Sequence, residues 1–408
     1  MRKPLLSSCL LGAVLLVASA AAAADDNADA VVARGKALTD AGDCAGCHTA
    51  DASRPFAGGR EIPTPFGTIY SPNLTPDRDT GIGAWSDDDF YRAMHDGVAP
   101  DGTRYYPAFP YPYFTRLTRS DVLAIKAYLA TLPAVRNTRR AAELKWPLNH
   151  RIVMRGWNLL FFRPATFQPD PAQNDVWNRG AYLVNGPGHC GACHTPKNFL
   201  GADRSGKRFE GGAVDGWYAP RLDAAARSGL ASWSLDDIKN YLKTGRSEKS
   251  YAAGPMADVV RSSTSKLADA DIHAIATYLK SLPAGSPEPS VAAPASSQMS
   301  AGEKVYRETC SACHELDGEG SPGIFPPLPR NSNLQASNPA SIIRIVLDGA
   351  VSVTTAQLPN PATMPAYAGK MSNEGIAAVV TYMRNAWGNA ASPVTPDQVS
   401  AAREATKR

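Results

Sequence analysis

The chain has 408 residues, 42 Lys and Arg against 38 Asp and Glu, and a formal charge of +4. That length is ordinary for two to four domains and too long for a small scaffold held by disulfides. The near-neutral balance gives no electrostatic footprint for nucleic acid, and beyond the N-terminal segment no stretch approaches the ~18 consecutive apolar residues of a membrane span.

Arg2 and Lys3 open the chain as a positive region, followed by an apolar run from Leu5 to Val17 that is too short to remain in a bilayer. Ala18-Ser19-Ala20 and Ala22-Ala23-Ala24 both offer small-residue cleavage sites. Residues 1–24 therefore read as a cleaved signal peptide, which places the mature chain in the periplasm. Cys9, the one cysteine outside the motifs below, falls within this leader.

Residues 25–140 form a first unit. Its helix over Ala33–Leu38 leads into Cys44-Ala45-Gly46-Cys47-His48, the C-x-x-C-H pattern of c-type haem attachment. The two thiols, one turn apart, form thioethers with the haem vinyl groups, and the histidine that follows lies under the iron. A second helix spans Asp87–His95, with acidic residues in its first turn. A C-terminal helix spans Ser120–Leu132, where Val122, Ile125, Leu129 and Leu132 recur at helical spacing and Tyr128 lies beside them. The connecting segment 141–172 carries Trp157-Asn-Leu-Leu-Phe-Phe162 among Arg151, Arg155 and Arg163. It reads either as a patch meeting the bilayer surface or the quinone side, or as a helix packed between units.

The second unit, 173–283, repeats the first. His48 recurs as His194, 146 residues on; Tyr70 as Tyr218 and Trp85 as Trp233, each 148 on; and Tyr128 as Tyr278, 150 on. Its motif is Cys190-Gly191-Ala192-Cys193-His194, and its helices are expected over Arg179–Val184, Leu235–Lys243 and Asp269–Leu282. Residues 284–298, rich in Pro, Ala and Ser, read as an extended linker. The third unit, 299–390, holds Cys310-Ser311-Ala312-Cys313-His314, with helices over Gly302–Thr309, Ala340–Leu347 (Ser341 as a cap) and Asn373–Trp387, and Tyr382 as the counterpart of Tyr128. Residues 391–408 read as a polar, peripheral tail.

Three motifs that all end in His exclude chance, and neither a thiol-redox pair nor a zinc site explains the fixed order. The fold class is all-α: three tandem cytochrome c-like haem domains, with three covalently bound haem c groups on Cys44, Cys47, Cys190, Cys193, Cys310 and Cys313. His48, His194 and His314 are the proximal iron ligands. Electron-transfer haems commonly take a second axial ligand, and methionine raises the potential. The loop before each C-terminal helix supplies Met256 beside Pro255 and Met364 beside Pro365. In the first unit Phe109 stands where Met belongs, which leaves Met94, a five-coordinate iron, or His95. Carbonyls at Pro72, Pro220 and Pro326 are placed to accept the histidine Nδ1–H.

The chain resembles the three-haem cytochrome c subunits of bacterial membrane-associated dehydrogenases acting on alcohols, gluconate, sorbitol and related substrates. The resemblance is carried by Ser71-Pro-Asn-Leu-Thr-Pro76, Thr80-Gly-Ile-Gly83, Trp85-Ser86, Asp101-Gly102, Tyr106-Pro-Ala-Phe-Pro-Tyr111, Trp177-Asn-Arg-Gly-Ala-Tyr-Leu183, Gly188-His-Cys-Gly-Ala-Cys-His-Thr-Pro196 and Trp387-Gly-Asn389. It implies an electron conduit from a large dehydrogenase subunit to ubiquinone or a terminal oxidase, attached to the outer face of the inner membrane. The Phe109 form resembles cytochromes that accompany molybdenum enzymes acting on aldehydes or N-heterocycles, which implies a molybdopterin subunit with an iron–sulfur subunit ahead of a flavin one. Two competing readings are a catalytic, peroxidase-like cytochrome with an open first haem served by His95, and a free periplasmic shuttle.

Overall fold

The computed structural model describes residues 27–355 and 361–406; the leader, 1–24, lies outside them. Three helical units follow one another, each around its own buried apolar cluster. In every unit an entry helix (27–41, Asp175–Asn185, Ser296–Val305) crosses a C-terminal helix (Arg119–Ala130, Asp269–Ser281, Asn373–Met383). A glycine makes each crossing close. A Cβ on Gly35 would sit 1.8 Å from the Ala124 carbonyl oxygen, on Gly180 1.9 Å from that of Ala274, and on Gly302 2.2 Å from that of Ala378.

The second helices run Asp87–Asp96, Leu235–Thr244 and Ala340–Asp348. The first two open on capping boxes, Ser86 with Asp89 and Ser234 with Asp237, and close on left-handed Gly97 (φ 65°) and Gly245 (φ 75°). The third copy lacks this device. Its N-cap is Pro339, and Ser341, expected as a cap, instead holds the seam between units: it accepts from the Tyr218 N–H at 2.8 Å and donates to the Tyr218 carbonyl at 2.9 Å.

The units are mostly helical, with short antiparallel pairings that periodicity did not reveal. Glu61–Thr64 pairs with Gly67–Tyr70, Gly212–Val214 with Trp217–Ala219, and Ala350–Val351 with Thr363–Met364. Glu143–Leu144 joins the first hairpin and draws the connecting segment back onto the first unit.

That segment is two-faced. Its helix, Val153–Phe161, buries Met154 and Asn158, and Asn158 Oδ1 accepts from the Tyr111 hydroxyl at 2.5 Å. The Trp157 indole N–H reaches the Leu200 carbonyl of the second unit at 3.0 Å. On the other side Leu159 and Leu160 are 73% and 66% exposed, with Ile152, Trp146 and Phe199 exposed as well. Packing between units and an apolar surface therefore coexist.

The linker is extended over 284–295 and is strapped to the second unit: Asp223 accepts from the Gly285 N–H at 2.8 Å, Glu210 from the Ser286 N–H at 2.8 Å, and Glu288 from the Arg227 and Ser228 N–H groups at 2.9 and 3.0 Å. One expectation needs correction: the tail is not peripheral. Its helix, Pro396–Thr406, returns to the third unit, because Val394 and Val399 belong to that unit's buried cluster and Arg403 donates to the Asn373 side chain at 2.7 Å. Among the described residues no helix is long and apolar enough to cross a membrane.

Candidate haem centres

Each C-x-x-C-H motif forms a short helix (Cys44–His48, Gly191–His194, Ser311–His314) directly after its entry helix. In the third unit the two are joined by a wider π turn over Tyr306–Cys310. The segment after the motif returns to the histidine. Nδ1 of His48 lies 2.7 Å from the Pro72 carbonyl, His194 2.7 Å from Pro220, and His314 3.2 Å from Pro326. A carbonyl only accepts, so Nδ1 carries the proton and Nε2 keeps its lone pair for a metal. Burial lowers the pKa of all three histidines against the opposing pull of these hydrogen bonds, which favours the neutral, ligating form.

The thiols behave unlike those of a redox pair. Burial pushes Cys44 and Cys190 up to about 12 and Cys310 up to about 11, whereas thiol oxidoreductases depress the attacking thiol.

In the second unit one cavity is lined by Cys190, Cys193 and His194, by Met256, and by apolar walls including Leu222, Trp233, Ile238, Leu242, Ile275 and Leu279. In the third, one cavity brings together Cys310, His314 and Met364 with Leu328, Leu334, Ile342, Val346 and Val379. Both predicted methionines thus share a cavity with their histidines, although not from loops. Met256 is the second residue of a helix, Pro255–Ser262, which Pro255 starts at a position where a missing N–H costs nothing. Met364 is held in a strand by its pairing opposite Ala350.

The first unit differs as its sequence does. Met94 is buried on the inner face of its helix, in the cluster that also holds Phe56, Phe90, Cys44 and Phe109. Phe109 packs edge-on against Tyr105 and Phe114. His95 turns elsewhere: its Nδ1 meets Asp96 at 2.7 Å and its ring stacks on Tyr91 at 5.0 Å.

Two wall residues escaped the sequence reading. His189 lines the second cavity, donates Nδ1–H to the Pro187 carbonyl at 2.8 Å, and meets Phe114 of the first unit edge-on at 5.6 Å. Its place directly before Cys190 was the available signal. Asp43, directly before Cys44, lines that same cavity. One of its carboxylate oxygens finds no hydrogen-bond partner, and burial pushes its pKa up to about 6.

In the second and third units an apolar cavity, paired thiols one turn apart, a neutral histidine with a free Nε2 and a soft sulfur donor suit a flat, covalently attached metallomacrocycle, and the first unit repeats the thiols and the histidine. This is the donor set of a c-type haem protein. The model of the family Cytochrome c matches residues 32–133, 178–283 and 299–387, and the chain belongs to the cytochrome c family. Among curated relatives it is 43% identical over 371 residues to a nicotinate dehydrogenase subunit of Pseudomonas putida, covering 87% of this chain and 30% of that protein's length. It is 40% identical over 407 residues to the cytochrome c subunit of alcohol dehydrogenase (quinone) of Gluconacetobacter polyoxogenes, covering 95% of this chain and 86% of the relative. With the gluconate 2-dehydrogenase cytochrome c subunit of Pantoea cypripedii it shares 39% over 417 residues, covering 97% and 95%.

Proposed function

We propose that this chain is the electron-transfer subunit of a membrane-associated dehydrogenase, with three haem c groups that carry electrons from a separate catalytic subunit toward ubiquinone or a terminal oxidase. One observation carries the reading: the cavities share walls. Ala41 and Asp43, from the approach to the first motif, line the second cavity. Ser250, Tyr251, Asn333 and Ile345 line both the second and the third. The second site is thus the middle of a contiguous array.

Each haem c, when bound, supplies an iron that alternates between ferric and ferrous states. This chain's residues fix where those states lie and keep water from them. His48, His194 and His314 would hold the irons, their rings oriented by the carbonyls of Pro72, Pro220 and Pro326. Met256 and Met364 would complete the second and third sites, and Met94 the first. Met94 is favoured there by its burial beside Cys44, while His95 is engaged by Asp96 and Tyr91. No substrate chemistry falls to this chain.

The donor is a dehydrogenase subunit of the molybdopterin type with an iron–sulfur partner. Phe109 supports this, and so does the similarity to a nicotinate dehydrogenase subunit, since nicotinate is an N-heterocycle. The location is the periplasmic face of the inner membrane. The exposed face of Ile152, Leu159 and Leu160, flanked by Arg155 and Arg163 in a stretch without acidic residues from Leu144 to Pro169, suits an anionic bilayer surface.

The test is purification from a host that makes covalent haem, with the neighbouring dehydrogenase genes present. Three haems per chain, a co-purifying catalytic subunit and reduction of the haems by that subunit's substrate are the expected results. A three-haem chain that purifies alone and is reduced by no co-expressed dehydrogenase would sink the proposal.

A further inference from the structure

The second and third cavities share a ligand set but differ in charge. Arg384 is the largest fully buried side chain among the described residues. It caps the C-terminal helix of the third unit, and all its hydrogen bonds go to backbone carbonyls: Leu334 at 2.7 Å, Ala336 at 3.0 Å and Ser392 at 3.1 Å. No carboxylate among the described residues forms an ion pair with it. Leu334, which accepts from Arg384, and Met383, which precedes it, both line the third cavity. Apart from His314, the residues lining that cavity are uncharged. Burial lowers the guanidinium to about 10, still well above neutral pH, so the charge persists.

The second cavity is built differently. Arg221 on its wall is neutralised by Asp223, with Nε 2.9 Å from Oδ1, and Asp43 adds a carboxylate. Arg246 lies 5.8 Å over the ring of Tyr251, which lines both cavities, so it does not separate them. The exposed Glu315 and Asp317 near the third motif are screened by water. The carbonyls at the end of the helix give Arg384 only partial negative charge.

A fixed positive charge in a low-dielectric interior favours the iron state with one more electron. We infer that Arg384 is an electrostatic tuning residue for the third site, making its haem more easily reduced than that of the second despite a matching His/Met pair. Electrons shared within the array then rest preferentially in the third unit. This rests on the haem occupancy proposed above.

The experiment is spectroelectrochemical titration of the full-length holoprotein after its haems per chain have been counted. Loss of one component in Met364→Ala identifies the third haem, and loss in Met256→Ala the second. Arg384→Gln should shift the third component alone about tenfold toward the ferric form, which is about 59 mV downward for a one-electron couple. Arg384→Lys, which keeps the charge, should leave it near its wild-type position. A third component that stays put in Arg384→Gln, or moves equally in Arg384→Lys, overturns the inference. If Arg384→Gln fails to accumulate, the wild-type order decides, and a third component below the second refutes it. A chain carrying fewer than three haems would instead overturn the occupancy reading.

Discussion

A single methyl group at Gly180 should have the opposite effect to the same methyl at Gly156. Both residues lie within helices, where Gly→Ala ordinarily stabilises by about 0.5–1 kcal/mol because glycine loses more backbone freedom on folding. Around Gly156 nothing lies within 4 Å of the added carbon, so the gain should appear in full. At Gly180 the carbon would fall 1.9 Å from the Ala274 carbonyl oxygen and 2.8 Å from the Tyr278 Cβ. An ordinary contact is roughly 3.4 Å, so the helices would separate by more than an ångström, and the nearest atom is backbone that no rotamer change can move. Overpacking of this kind costs about 1–3 kcal/mol, with a backbone obstacle at the upper end. After the helix gain is subtracted, Gly180→Ala should destabilise the second unit by about 2 kcal/mol. Guanidinium unfolding followed by helix circular dichroism would show a midpoint lowered by roughly 0.5 M for Gly180→Ala and unchanged or raised for Gly156→Ala. A Gly180→Ala protein as stable as wild type would refute the close crossing.

Met256→Ala and Met364→Ala should each leave one haem in three able to bind carbon monoxide and lower its potential, read by difference spectra and titration; unchanged spectra would remove that methionine as a ligand. Met94→Leu keeps the shape of the side chain, so a new carbon monoxide-binding haem in that variant would report lost ligation in the first unit, and its absence would leave Met94 as packing. Acid should release the linker: burial opposes ionisation, yet hydrogen bonds from Arg221 and the Gly285 N–H hold the Asp223 carboxyl below the ordinary carboxylate range, and those from the Arg227 and Ser228 N–H groups do the same for Glu288. A depressed folded pKa contributes stability above the unfolded value and loses it as the pH falls through the folded one, so hydrogen exchange at 284–290 should rise only below about pH 4. Replacing Leu159 and Leu160 by Glu should weaken sedimentation with vesicles rich in anionic lipid; sedimentation equal to wild type would show that this face does not meet the bilayer.

The features legible in the sequence are those whose signal is local. The haem motifs are contiguous, and the repeat around Tyr70, Trp85 and Tyr128 exposes the units because copies drift by only a few residues. Position relative to the C-terminal helices singles out Met256 and Met364, and each lines the cavity of its unit's histidine, although a helix and a strand hold them rather than loops. The crossing glycines were passed over because a helical glycine reads as a weak point until the backbone opposite it is known. The tail was misjudged for a similar reason: Val394 and Val399 are too sparse to form a stripe, and what they bury against lies in other helices. Arg384 carries no sequence signal, since nothing near it announces that two of its three partners are carbonyls about fifty residues away.

The pinned linker bears on how the protein works over time. Many multi-centre carriers move a domain between a loading and an unloading position, and their turnover slows as solvent thickens. Here Asp223, Glu210 and Glu288 strap the passage between the second and third units to the second unit's surface, and Ser341 clasps Tyr218 across the seam. The spacing between those two cavities is set at folding, so under the proposed function internal transfer would answer to distance and driving force rather than to diffusion, and solvent viscosity would bear only on the encounters with donor and acceptor.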